Sequence, residues 1–329
     1  MKNNNQQTIP RRRFLGRMAA AAGLTGAGMA TAGEEGEGGR RFLRLSLDLP
    51  PRVGEGGEDR VRFGVITDTH YGDRDDTPRP RYFRWSQPNV AEAVREFNEA
   101  ELDFAIHLGD VIQETHNRNA SLALLQAIDE EFRKFDGPIH YVPGNHDLAD
   151  FSKEDFVANT SGAVAQTHYF FDQGGYRFIL FDACYRADGV SYNTGNFAWT
   201  NCFIPPAQID WASGVLDEAK SEGLRAMAFA HQNFDRFGTS FRIANADQVI
   251  DMLASKGNVD ALFSGHQHGG NYEFIQGIHV ITLVANVDGP DRSTSIVRVA
   301  ADGALEVIGV GKRQTNWGPY PPSQVDPTP

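Results

Sequence analysis

Five short apolar segments of this chain each run directly into aspartate, asparagine or histidine. Val61–Thr67 is followed by Asp68-Thr69-His70, and Asp103–Leu108 by Gly109-Asp110. Ile139–Val142 is followed by Pro143-Gly144-Asn145-His146-Asp147. Arg225–Ala230 ends at His231, and Ala261–Ser264 at Gly265-His266-Gln267-His268. Between the first three, apolar residues recur at helical spacing: Val90, Val94, Phe97 and Leu102 after Pro88, then Leu122, Leu125, Ile128 and Phe132 before Gly137. A strand–helix–strand rhythm of this kind predicts parallel pairing through helical crossovers. Ligands of open α/β sheets bind beyond the carboxyl ends of the strands. A lone strand-end histidine is ordinarily a hydrogen-bonded structural residue, but five polar strand ends in register point to one site.

The rest of the chain continues the same pattern. "THYFFDQGGYRFILFD" predicts a hairpin turning at Gly174-Gly175. Cys184–Ile204 is irregular and rich in polar and aromatic residues, and Tyr185, Tyr192, Asn193, Phe197 and Trp199 make it a candidate substrate rim. A helix beginning at Pro205-Pro206 and ending near Gly223, and another over Ala246–Ser255, flank the Arg225–Ala230 strand. Tyr272–Ile281 and Ser295–Ile308 predict closing hairpins with turns at Gln276-Gly277 and Asp302-Gly303. These signals place the folded domain at residues 60–312, with a Pro-rich tail over 313–329 expected to be disordered.

The beginning of the chain is of another kind. Residues 1–32 join a basic start, Arg11-Arg12-Arg13 before Phe14-Leu15, to a weakly apolar Ala/Gly stretch and an Ala30-Thr31-Ala32 cleavage pattern. This predicts a twin-arginine signal, use of the twin-arginine export machinery, and a periplasmic or extracellular protein without a stable membrane anchor. Residues 33–59 read as an acidic, Gly-rich linker followed by a possible edge strand at Arg41–Leu49. The net charge of −12 opposes binding to a nucleic-acid backbone. Cys184 and Cys202 are expected as buried or free thiols, although spacing does not exclude a bridge.

Imidazoles and carboxylates without thiolate suit a divalent cation such as Mn, Fe, Zn or Co. Residues two apart in extended chain point the same way, so Asp68 with His70, and His266 with His268, can each reach one cation. Asp68, His70, Asp110, Asn145, His231, His266 and His268 exceed the needs of a single metal; they suit two, with Asp110 as the shared carboxylate. Such a pair generates hydroxide from water and clamps an in-line displacement at phosphorus.

The five clusters, in this order and at these strand ends, resemble the signature blocks of the calcineurin-like metallophosphoesterases. The resemblance runs from about Val61 to about Leu283. It implies an α/β four-layer sandwich: two mixed β-sheets face to face with helices on the outer faces. It implies one metal held by Asp68, His70, Asp110 and His268, and a second held by Asp110, Asn145, His231 and His266, with manganese favoured over iron or zinc. It places His146 beside the scissile phosphate as a proton or hydrogen-bond donor. Asp147 is expected to orient its surroundings or to act as a turn carboxylate.

Further stretches resemble the Mn-dependent ADP-ribose/CDP-alcohol diphosphatase branch: "RYFRWS" from Arg81, "YRFILFDACY" from Tyr176, "IPPAQIDWASGVLDEA" from Ile204 and "GHQHGGNY" ending in Tyr272. The branch carries Gln where this chain has His70, and Gly-Asn-His-Glu where it has Gly-Asn-His-Asp. Gln113 stands where purple acid phosphatases place a tyrosine ligand. The branch puts an aromatic at the Tyr272 position near a nucleobase, and Arg81 and Arg84 are candidate phosphate contacts. The expected activity is therefore hydrolysis of a phosphodiester or pyrophosphate bond in a small, nucleotide-like substrate by metal-bridging hydroxide. A phosphate-scavenging monoesterase is the alternative. A non-catalytic scaffold is disfavoured, because all seven expected ligands and His146 are present. The other histidines, His107, His116, His140, His168 and His279, are expected to be structural or exposed.

Overall fold

The computed structural model describes residues 53–54, 57–74, 81–289, 293–310 and 317–320. The signal-like leader, the Arg41–Leu49 segment and most of the Pro-rich tail lie outside the described residues. In chain order the domain is built from β1 (Val61–Ile66), α1 (Ser86–Glu99), β2 (Phe104–His107), α2 (Arg118–Phe132), β3 (Ile139–Tyr141), α3 (Lys153–Ala158), β4 (Tyr169–Gln173), β5 (Tyr176–Leu180), α4 (Pro206–Ser221), β6 (Arg225–Phe229), α5 (Ala246–Lys256), β7 (Val259–Ser264), β8 (Gly269–Ile275), β9 (Ile278–Val284), β10 (Thr294–Val299), β11 (Leu305–Val310) and β12 (Trp317–Tyr320).

Two mixed six-stranded sheets result, one ordered β12-β11-β10-β1-β2-β3 and the other β8-β9-β7-β6-β5-β4. The first three strands pair in parallel as the helical spacing predicts, with Val65 opposite Ile106 and Ile106 opposite His140. β4 and β5 form the hairpin at Gly174-Gly175. Antiparallel pairs β8–β9 and β10–β11 close the two sheets. Alternate residues of β1 decide how the sheets meet. Val61, Phe63 and Val65 point inward, and the Phe63 ring stacks on Phe104 at 4.7 Å and meets Phe178, Phe229 and Phe263 edge-on at 5.6, 5.9 and 6.0 Å.

The outer face of the first sheet is covered by Val90, Val94 and Phe97 of α1 and by Leu125, Ile128 and Phe132 of α2. Ile209 and Leu216 of α4, with Val249 and Leu253 of α5, cover the second. The order is therefore helix, sheet, sheet, helix, the expected four layers. Local chemistry sets several helix ends. The Asn117 side chain accepts from Ala120 N–H at 3.1 Å to cap α2, Pro206 opens α4, and Gly257 ends α5 at φ 71°.

Two elements depart from expectation. α3 is short and lacks an apolar period; a reciprocal Ser152–Asp155 capping box starts it. β12 falls inside the tail expected to be disordered, where Trp317 and Tyr320 pair with Val307 and Leu305 of β11. Backbone pairing at an open sheet edge admits a Pro-containing segment that carries no apolar pattern of its own. Among the described residues, no helix is long and apolar enough to cross a membrane.

Candidate metal centre

Backbone bonds fasten the strand-end loops to one another. Asp68 N–H donates to the Gly109 carbonyl (3.1 Å), His70 N–H to Asp110 (2.9 Å) and Gly265 N–H to His231 (2.9 Å). Across the two sheets, His266 N–H donates to the Asp68 carboxylate at 3.0 Å. Such proximity needs glycine at two positions: a Cβ on Gly144 would lie 2.1 Å from Asp110 N, and one on Gly265 would lie 2.0 Å from the Thr67 hydroxyl oxygen. Asp68, His70, Asp110 and His266 all adopt left-handed backbone, with φ of 51°, 43°, 49° and 66°. Non-glycine residues rarely sit there, and such strain persists where surrounding bonds over-determine it, as at functional sites.

These loops bring the predicted ligands together. Donor atoms of Asp68, His70 and His268 lie within 4.8 Å of one another, as do those of Asp110, His231 and His266. Asp110 is central: its Oδ1 accepts His146 N–H at 2.8 Å, while Oδ2 lies 3.1 Å from His231 Nε2 and 3.5 Å from His70 Nε2. Both ring nitrogens of His70, and both amide atoms of Asn145, are buried without a hydrogen-bond partner. Polar atoms left so in a protein interior carry a desolvation cost that a coordinated cation removes. The donor set fits divalent metal.

The rings of the candidate ligands are also oriented as metal-binding imidazoles are. His231 Nδ1 donates to the Leu108 carbonyl at 2.8 Å, leaving Nε2 for a cation. Asp288 Oδ1 accepts from His268 Nδ1 at 2.9 Å, with the same result. In His266 the roles are exchanged: Nε2 donates to the Trp199 carbonyl at 2.7 Å, leaving Nδ1. An outer partner that fixes the ring and its tautomer raises ligand basicity.

Electrostatics follow from burial and crowding. Burial pushes the Asp68 carboxyl up, but His70 beside it and the charges of His231 and His268 outweigh this and hold it well below the usual range. Asp110 is likewise held low, against burial, by His231 and His146. Burial lowers His70 to about 4 and, with the His231 charge, His266 to about 3. His231 moves the other way, up to about 9, because Asp110 outweighs its burial. Beneath the centre, burial keeps His107 neutral, with a pKa of about 3. Its Nδ1 accepts Gly109 N–H at 3.2 Å and its Nε2 meets the Thr69 hydroxyl at 3.0 Å, so it is a structural histidine.

His146 lies at the mouth, its ring 4.7 Å from His70. His146 also groups with His70 and Asp110, while Glu114 Oε2 engages its Nδ1 at 2.5 Å. Glu114 is a residue that sequence reasoning missed, and so is Asp288. Asp147, fully buried, accepts from Val111 and Ile112 N–H (2.8 and 3.2 Å) with one oxygen and from Gly144 N–H (2.8 Å) with the other. It ties the Asp110 loop to the Asn145 loop. Burial, then the Asp110 charge, raises its pKa to about 7.

The three candidate substrate contacts fare differently. Arg81 lies 4.0 Å from Asp288 and close enough to His146 to oppose its protonation. Arg84 points to an exposed ion pair with Asp73 at 3.0 Å. Tyr272 packs against the inter-sheet core, opposite Ile281 in register, and its hydroxyl bonds His279 Nδ1 at 3.1 Å. Cys184 and Cys202 are buried free thiols.

Residues 61–270, which carry all five strand-end clusters, match the calcineurin-like phosphoesterase family. The chain belongs to the calcineurin-like phosphoesterases. It is a hydrolase of phosphorus esters, and its cofactors are divalent metal ions. Among curated relatives, this phosphoesterase is 27% identical to the manganese-dependent ADP-ribose/CDP-alcohol diphosphatase of Oryza sativa, over 72% of its own length and 87% of the relative's. The protein of the same description from Arabidopsis thaliana is 26% identical, over 77% and 95%. A crystal structure of a dimetal phosphatase from Danio rerio shares the fold, with a TM-score of 0.68 and 20% identity over 79% of this chain and 98% of that one.

Proposed function

We propose that this phosphoesterase hydrolyses the diphosphate bridge of small nucleotide-like compounds such as ADP-ribose or CDP-alcohols, with manganese the favoured metal. The observation that carries this reading is the pair of donor clusters meeting at Asp110. Asp68, His70, Asp110 and His268 would hold one cation; Asp110, Asn145, His231 and His266 would hold the other. Bound there, two cations lower the pKa of water and take up charge growing on phosphoryl oxygens. The curated relatives named as manganese-dependent diphosphatases support the substrate class.

The chain's own residues supply orientation and proton control. Glu114 engages His146 Nδ1, which leaves Nε2 as the ring atom for the departing phosphate oxygen. Arg81, beside Asp288, would bind a phosphate oxygen, whereas Arg84 is turned to Asp73. Water adds to one phosphorus, the anhydride bond breaks, and two monophosphates leave.

Metal analysis of the purified chain, then assays with manganese on ADP-ribose, CDP-choline, a bis-aryl phosphate and a mono-aryl phosphate, test this. AMP and ribose 5-phosphate are the expected products of ADP-ribose. Faster release of inorganic phosphate from the mono-aryl ester would instead select the monoesterase. Export by the twin-arginine route belongs to the same proposal and rests on Arg11-Arg12-Arg13 and the apolar stretch after them. A full-length chain retained in the cytoplasm would overturn it.

A further inference from the structure

The segment between Cys184 and α4 lies against the centre through the backbone of Trp199. Its carbonyl accepts from His266 Nε2 at 2.7 Å, so this residue is tied directly to one of the candidate ligands. The indole itself is left open, 48% exposed. Beside it stands Phe241, whose ring lies 5.1 Å from the indole and 5.5 Å from the His266 imidazole. The three rings form a file running from the centre outward.

The backbone that carries the indole is held firmly. The Tyr192 hydroxyl, on a buried ring, lies 2.8 Å from the Ala198 carbonyl and 2.6 Å from that of Asn201, either side of Trp199. Asn201 Oδ1 accepts Ala187 N–H at 2.8 Å, and Asn201 N–H returns to the Ala198 carbonyl at 2.9 Å. A large aromatic held open on a fixed backbone, next to a charged centre, loses little freedom when a second ring stacks on it. The Phe197 ring lies 5.5 Å from that of His146.

We propose that Trp199, buttressed by Phe241, is the platform on which the purine or pyrimidine base of the substrate stacks, on the His266 side of the centre. This rests on the reading of the substrate as a nucleotide diphosphate. It moves the base contact away from Tyr272, whose ring packs on the inter-sheet core and whose hydroxyl is bonded to His279. A 5′-nucleotide has its base one ribose away from the phosphate, and the indole likewise stands one side chain beyond a candidate ligand.

The test uses the full chain loaded with manganese and compares AMP with ribose 5-phosphate, which differ by the base alone, as competitive inhibitors of CDP-choline hydrolysis. The wild-type chain is expected to bind AMP about tenfold more tightly or better, the usual scale of base–aromatic stacking. Trp199→Ala should collapse that ratio towards one, because the side chain goes while the carbonyl on His266 stays. Trp199→Phe should keep most of the preference, which separates loss of the ring from loss of the fold. An unchanged ratio in Trp199→Ala, or no preference in the wild type, overturns the platform. If the chain hydrolyses none of the test compounds, the proposed activity fails. Equilibrium binding of AMP and ribose 5-phosphate to the wild type and Trp199→Ala, followed by titration calorimetry, then still decides the stacking site by the same ratio.

Discussion

Glu114 is an outer carboxylate set against the candidate proton donor His146. It lies four residues beyond Asp110 and receives His146 Nδ1 at 2.5 Å, and both side chains are largely buried. Burial would lower the His146 pKa, but Asp110 and Glu114 outweigh it and raise it. Replacing Glu114 with Ala should leave the imidazole free to turn, so turnover should fall about ten- to a hundredfold, the range for a positioned acid or its support. Bound metal should be retained, because Glu114 is hydrogen-bonded to His146 and Gln113 rather than to a candidate ligand. Metal content measured alongside kcat checks this; loss of metal in step with activity would show that Glu114 acts on the metal loops instead. Sequence reasoning finds His146 because Asn145-His146-Asp147 is an unusual side-by-side set, and misses Glu114 because glutamate in a polar turn is ordinary. Only the path of the loop after Asp110 reveals its partner. Asp288 was invisible for the same reason: twenty residues separate it from His268, in no motif.

Loops, rather than strands, set the precision of the centre. Regular elements announce themselves by period, so β1 to β3, α1, α2 and the β4–β5 hairpin are legible in the residues. α3 and β12 are not, because one rests on a capping box and the other on edge pairing, neither of which leaves an apolar period. Tyr272 illustrates the limit within a strand: its type suggests stacking on a ligand, whereas the β8–β9 register sets it beside Ile281 on the core. Glycine is the legible part of the loops. Gly144→Ala would place a methyl 2.1 Å from Asp110 N and 2.2 Å from Asp110 Oδ1, and backbone cannot yield as a side-chain tip can. The expected cost is about 1–3 kcal/mol of stability, with weaker metal retention and at least tenfold lower activity, because the displaced atoms belong to Asp110, the carboxylate proposed to be shared by the two cations. At Gly162 the nearest atom to a new Cβ is Tyr141 Cδ2 at 3.5 Å, an ordinary contact, so Gly162→Ala should be tolerated. Thermal unfolding and metal content of the two variants decide the matter, and equal behaviour would refute the packing account.

At the scale of the whole molecule, the two sheets confine their polar chemistry to the ends of their strands and fill the space between with aromatic rings. A histidine is nevertheless set within those rings. His140 of β3 stacks on Phe171 at 3.8 Å, meets Phe104 edge-on at 5.7 Å and bonds the Tyr169 hydroxyl at 3.1 Å through Nδ1. Among the described residues no carboxylate bonds it, and burial lowers its pKa to about 3. An unfolded histidine titrates near 6.5, so between those values the unfolded chain binds a proton that the folded chain refuses. The stability this neutral ring contributes is fully present above pH 6.5 and is lost as pH falls from there towards 3. His140→Asn keeps a polar atom for Tyr169 and removes the titration. The variant should therefore be the less stable protein at pH 8, and the gap should close by about 1.4 kcal/mol per pH unit below 6.5, or about 3 kcal/mol by pH 4.5. Urea unfolding of both proteins in chelator, across that range, isolates His140, because the candidate ligand histidines titrate in both and cancel in the difference. A gap that stays constant with pH would mean that His140 takes up its proton alike in folded and unfolded chains, and that the aromatic interior admits charge.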